Sequence, residues 1–276
     1  MTTTHVASAD GTRIAVETVG EGPPLVLTTG ALQDRASVRL LARALADRAT
    51  VHVWDRRGRG DSGGVPDPSR DPAGPDGDAL VAVEVADLAA VTTHAGGAPG
   101  HYGHSAGAVL VLEALVRGVP ASRVVAHEAP WPLDGDDPVP RRELAAATMA
   151  ALRAGRPDDA AAAFLDGFPA AAPAPVARLR TTPFWARTVA MAPALPYDVA
   201  LVARDVLPAD RLADLAVPLL ALDGGASPAW VRAAVDALAA TVPGARRRTL
   251  PGQGHLVTPA VLGPVLTEYF TEFLTG

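Results

Sequence analysis

Ser105 stands at the centre of Gly103-His104-Ser105-Ala106-Gly107, after a short strand-like stretch and before the apolar run Ala108-Val109-Leu110-Val111-Leu112-Glu113-Ala114-Leu115. A serine in G-x-S-x-G at a strand-to-helix turn has the spacing of a nucleophile elbow, in which a strained backbone pushes the hydroxyl out of the turn. Gly103 and Gly107 carry no side chains, so strand and helix can approach closely around the serine. The chemistry such a residue suits is nucleophilic attack aided by a general base.

Two other patterns point elsewhere and carry less. Gly58-Arg59-Gly60-Asp61-Ser62-Gly63 fits G-x-G-x-x-G, but a dinucleotide-binding turn must open a helix, and Val65-Pro66-Asp67-Pro68 follows instead. Arg56, Arg57 and Arg59 are therefore expected to brace their loop. The 7 histidines show no H-E-x-x-H or comparable spacing, so no metal site is expected.

The elements that must position Ser105 alternate along the chain. Strands are expected over Thr12–Val19, Pro24–Thr29, Thr50–Asp55, Gly100–His104, Ser122–His127, Pro218–Leu222 and Ala245–Leu250. Helical spacing marks Ala36–Arg48, Val81–Ala95, Arg141–Ala154, Pro157–Leu165, Pro228–Ala240 and Pro259–Leu274. This alternation predicts an α/β fold, with a mostly parallel central sheet of about eight strands covered by helices on both faces. From about Pro132 to Leu212 the chain turns rich in alanine and proline, with no convincing strand. The expectation is a core of residues 1–131 and 213–276, with residues 132–212 as a helical cap inserted after strand 6. Val65–Asp78 is expected to be a surface loop, and Arg246-Arg247-Arg248 a solvated edge.

Composition narrows the function classes. A 276-residue chain that is 49% hydrophobic can build a sizeable core. A net charge of -6 argues against nucleic acid as a partner. With 0 cysteines, disulfides and thiolate chemistry are excluded. All 24 basic residues are arginine, and lysine and asparagine are absent, the codon usage of a GC-rich bacterium. The first ten residues do not read as a signal peptide, and no stretch approaches the roughly 18 uninterrupted apolar residues of a membrane span. A cytoplasmic protein without a membrane partner is the expectation.

Taken together, the chain resembles the α/β-hydrolase superfamily. Four segments carry the resemblance, in the family's order: Leu25-Val26-Leu27-Thr28-Thr29-Gly30-Ala31 at the oxyanion loop; Asp55-Arg56-Arg57-Gly58-Arg59-Gly60-Asp61-Ser62, like D-x-R-G-x-G-x-S; the Gly103–Gly107 elbow; and Gly252-Gln253-Gly254-His255 at the histidine loop. The resemblance implies Ser105 as nucleophile, His255 as base, and backbone N–H groups of Ala31 and Ala106 as the oxyanion hole. Two positions depart from the family pattern. Thr29 precedes Gly30 where the family often has histidine, which leaves a backbone donor intact. Ser227, in Gly224-Gly225-Ala226-Ser227-Pro228, occupies the usual slot of the triad acid. A carboxylate must hold the imidazole by one nitrogen, and two candidates preserve the order nucleophile, acid, histidine. Glu128, after the strand that ends at His127, matches superfamily members that place the acid there and is preferred. Asp223, at the end of the next strand, is the alternative, and a dyad without an acid is a third reading. If the strand ran through both, His127 and Glu128 would point to opposite faces.

The function implied is a cofactor-free serine hydrolase acting on an ester, lactone or thioester of a small, largely apolar molecule. Its pocket is expected to draw on Gly30, Leu32, His104, Trp131, Phe164 and Trp185, although packing of the aromatic residues Phe164, Phe168, Phe184, Trp185 and Tyr197 would serve a cap equally well. Two other classes are open on sequence grounds: cyclisation, acyl transfer or lyase chemistry on the same fold, and ligand binding without turnover.

Overall fold

A computed structural model of the chain describes residues 2–133, 135, 139–168, 174–203 and 206–271. The chain opens with strands β1 (Thr2–Ala7), β2 (Arg13–Val19) and β3 (Pro24–Thr28), then helix α1 (Arg39–Leu45), strand β4 (Thr50–Trp54) and helix α2 (Gly77–His94). Strand β5 (Gly100–His104), helix α3 (Ala106–Val116) and strand β6 (Arg123–His127) follow. Among the described residues of the run before the next strand are helices α4 (Val139–Arg153), α5 (Pro157–Gly167), α6 (Val176–Leu179), α7 (Pro183–Met191), α8 (Leu195–Val202) and α9 (Ala209–Ala213). The described chain closes with β7 (Leu219–Gly224), α10 (Ala229–Thr241), β8 (Arg246–Leu250) and α11 (Pro259–Thr271). The expected helix over Pro259–Leu274 is seen to Thr271, and its last three residues lie outside the described ones.

The eight strands form one sheet in the order β1-β2-β4-β3-β5-β6-β7-β8. β2 pairs antiparallel with β1 and β4, and every other pairing is parallel. Alternate residues of each strand face opposite sides. Leu25, Leu27, Val51 and Val53 pack with Leu41 and Leu45 of α1 and with Leu262, Val265 and Leu266 of α11. Val26, Trp54, Val124 and Ala126 face the other side, with Leu80 and Leu88 of α2, Leu110 of α3 and Val235 of α10. The central parallel strands are therefore buried on both faces.

Strand β1 is not among the seven segments whose pattern reads as strand. Thr3, Thr4 and His5 are exposed on an edge, so they show no buried alternation, and pairing with β2 makes the strand. Before α1, Arg35–Val38 is a 3₁₀ turn whose Asp34 side chain accepts from the Ala36 N–H. The helix expected from Ala36 accordingly starts at Arg39.

The arginines after β4 brace their loop, and they do so in the interior. Arg56 Nε donates to Glu84 of α2 at 2.8 Å, and its Nη1 to Asp198 of α8 at 2.9 Å. Arg59 Nη2 reaches the other oxygen of Asp198 at 2.7 Å. Arg57 makes two bonds of 2.6 Å to Asp87 of α2. These partners explain why Glu84 and Asp87 interrupt the apolar face of α2: a buried charge persists only when it is paired. The same contacts tie α8 to the loop after β4.

Candidate active site

Two sheet ladders run one residue beyond their strands. The Ser105 N–H donates to His127 O, and the Glu128 N–H to Leu222 O, each at 2.9 Å. Both residues are thus fixed at the carboxyl edge of the parallel sheet, where ligands of open α/β folds bind.

Their backbones are strained there. Among the described residues, three that are not glycine have φ in the left-handed region: Leu32 at 53°, Ser105 at 55° and Glu128 at 50°. They follow β3, β5 and β6 in turn. Such conformations persist only where the surroundings impose them, and they gather at functional sites. Ser105 precedes α3, where a serine normally caps the helix with its hydroxyl. Here φ 55° and ψ -126° turn it away, and it makes no capping bond. The turn is tight because Gly107 has no side chain: a Cβ there would lie 2.7 Å from Thr28 O. Gly30 is close too, since a Cβ there would come within 3.1 Å of Ser105 Cβ. The residues after β3 therefore lie against the elbow.

Glu128 carries its carboxylate to the histidine loop. Its Oε2 is 2.5 Å from His255 Nδ1. Its Oε1 accepts from the Gly224 N–H at 2.7 Å and from Ser227 Oγ at 2.6 Å. Burial opposes the carboxylate charge, but the His255 contact, followed by the Ser227 and Gly224 bonds, holds the carboxyl below its ordinary range. The strand ends at His127, so the opposite-face relation to Glu128 does not apply, and the positive φ of Glu128 sets its direction instead. Asp223 is directed to the sheet edge, where Oδ2 accepts from Arg247 Nη2 at 3.1 Å. Arg246, Arg247 and Arg248 are exposed on edge strand β8, as expected.

His104 links the elbow to the histidine loop. Its Nε2 donates to the His255 carbonyl at 2.9 Å, which assigns the proton to that nitrogen. The His104 ring lies 4.5 Å from that of His255 and 4.9 Å from that of His127. Burial, and then these two imidazoles, hold His104 neutral well below the usual histidine range. His127 in turn shares a 2.8 Å hydrogen bond with the Tyr102 hydroxyl.

Among the residues expected to line the pocket, Gly30 and His104 lie against Ser105 and His255. Leu32, Trp131, Phe164 and Trp185 join one continuous buried apolar cluster. The Trp185 indole donates to Asp158, with Arg180 5.6 Å over its ring, so its polar edge is engaged by α5 and the turn after α6. Phe168 approaches the histidine with ring centres 6.2 Å apart, and Trp230 packs edge-on against Phe168 at 5.2 Å. The guanidinium of Arg141 lies over both rings. Phe168 stood among the aromatic residues of the helical run. Trp230 follows Pro228 at the start of α10, and no sequence signal sets it apart.

No group of three or more histidine, aspartate or glutamate side chains among the described residues is arranged to hold a metal ion. No helix among them is long and apolar enough to cross a membrane.

Comparison with known proteins agrees with this architecture. Residues 25–261 match the model of the alpha/beta hydrolase family. No curated protein sequence matches the chain. One similar solved structure is an alpha/beta hydrolase from Sphaerobacter thermophilus DSM 20745, 41% identical over 97% of this chain and 100% of that one, with a TM-score of 0.84. An esterase from Rhodococcus sp. ECU1013 shares the fold at 20% identity, covering 99% of each chain with a TM-score of 0.71. An esterase from Exiguobacterium antarcticum does so at 18% identity over 100% of each, with a TM-score of 0.72. The sheet order, the strained serine turn and the family match over most of the sequence lead to one assignment: the chain belongs to the alpha/beta hydrolase family.

Proposed function

We propose that the protein is a serine hydrolase that cleaves an ester, lactone or thioester of a small, largely apolar molecule through an acyl-enzyme on Ser105. The observation that carries this reading is the 2.5 Å hydrogen bond between Glu128 and His255 Nδ1, at the sheet edge that also bears Ser105. A carboxylate on Nδ1 fixes the tautomer that leaves Nε2 free to take a proton, and it stabilises the imidazolium that forms.

In this mechanism Ser105 Oγ attacks the acyl carbon while His255 accepts its proton. The proton then passes to the leaving group, and water, activated by the same imidazole, releases the acid. The N–H groups of Ala31 and Ala106 receive the developing oxyanion. Ala106 is the first residue of α3, where helix N–H groups have no partner within the helix and the helix dipole favours negative charge. Each such donor is worth about 3 kcal/mol of transition-state stabilisation. The helices between β6 and β7 act as a cap, and Phe168 and Trp230 give the histidine side of the site an apolar wall. No cofactor takes part. Esterases are among the proteins that share this fold.

The test is covalent labelling. A fluorophosphonate should add its mass to Ser105 in the wild type, and the label should be lost in His255→Ala. An unlabelled wild-type protein with no turnover of p-nitrophenyl esters would overturn the reading.

A further inference from the structure

We propose that Ser227 is a positioning residue that holds the Glu128 carboxylate in register with His255, an inference that rests on the serine-hydrolase reading and deepens it. Glu128 is fully buried at the end of β6, and its two oxygens are held differently. Oε2 faces His255 Nδ1, while Oε1 receives two donors, the Gly224 N–H at the end of β7 at 2.7 Å and Ser227 Oγ in the turn after it at 2.6 Å.

The Ser227 hydroxyl is not needed to form that turn. The turn closes through the backbone, with the Ser227 N–H donating to Gly224 O at 3.0 Å. A hydroxyl has one proton to give, and at Ser227, which is buried, it goes to the carboxylate. The terminal torsion of a glutamate is broad and roughly two-fold, so packing alone defines the carboxylate plane poorly. Two donors on one oxygen remove that freedom and present the other oxygen to the imidazole.

The turn is also bonded to the segment that carries the histidine. The Gly225 N–H donates to Leu250 O and the Ala226 N–H to Gln253 O, each at 2.8 Å. Ser227 therefore fastens the acid to the loop that bears the base. The position where the family's acid normally stands supplies, in this chain, the clamp for an acid borne on another strand.

The test compares Ser227→Ala and Ser227→Thr with the wild type on a p-nitrophenyl ester, with melting temperatures to verify folding. Ser227→Ala should lower kcat about 10-fold, the loss expected for one hydrogen bond to a charged group, and leave KM within about twofold. Ser227→Thr keeps the hydroxyl and should recover most of kcat. Combined with Glu128→Gln, Ser227→Ala should cost nothing further, because its effect runs through that carboxylate. Wild-type kcat in Ser227→Ala, or equal losses in the alanine and threonine variants, would overturn the inference while the active wild type sustains the serine-hydrolase reading. A wild type that neither turns over esters nor reacts with a fluorophosphonate would overturn both.

Discussion

Glu128 and His255, 127 residues apart in the chain, meet through a 2.5 Å hydrogen bond at the carboxyl edge of the sheet. The neighbouring strand end offers Asp223, which is bonded instead to Arg247 on the edge strand. The two carboxylates therefore differ in consequence. Glu128→Gln should keep the geometry but lose the charge and the correct tautomer, lowering kcat on a p-nitrophenyl ester by about 10³- to 10⁴-fold. Asp223→Asn should stay within about twofold of the wild type. The reverse ranking in steady-state kinetics would move the acid to Asp223.

The proposed placement of the acid after β6 makes a second prediction. Ser227 Oγ lies 2.6 Å from Glu128 Oε1, so removing the glutamate side chain opens space directly in front of residue 227. A carboxylate introduced there would inherit the Gly224 N–H and lie within reach of His255 Nδ1. Glu128→Ala with Ser227→Asp should exceed Glu128→Ala alone in kcat by at least about 10-fold, since a carboxylate on the imidazole is restored. Equal kcat values for the two proteins would show that residue 227 cannot serve as the acid.

Buried imidazoles set the response to mild acid. Burial lowers His52, His101 and His127 to about 4 each, from an ordinary 6.5. A neighbouring His94 adds to the effect at His52. His104 is lowered in the same direction. In the unfolded chain His52, His101 and His127 bind protons as pH falls through about 6.5, while in the folded protein they do not until about 4. The unfolded state thus takes up more protons across that window, and stability declines as pH falls. Urea unfolding should give a smaller unfolding free energy at pH 5 than at pH 7. Equal values would contradict the neutral burial of these residues.

Much of the fold was legible in the sequence because apolar runs such as Pro24–Thr28 and Thr50–Trp54 read as strands buried on both faces. β1 was not, since exposed threonines on an edge strand look like an unstructured terminus. The helix expected from Val81 starts at Gly77, because Gly77 and Asp78 read as the end of the glycine- and proline-rich loop before it. At the site, glycine spacing marked the serine turn. The choice between Glu128 and Asp223 was not encoded locally: it depends on a left-handed φ of 50° at Glu128 and on where β6 stops. The approach of Phe168 and Trp230 to His255 is likewise a product of tertiary packing.

The central claim is that Ser105 becomes acylated. The direct measurement is an acid quench of the protein during turnover of p-nitrophenyl butyrate, followed by peptide mass mapping. A butyryl group on the peptide containing Ser105, absent from Ser105→Ala together with turnover, is the predicted result. Full turnover by Ser105→Ala, or an acyl group trapped on a different residue, would contradict the account.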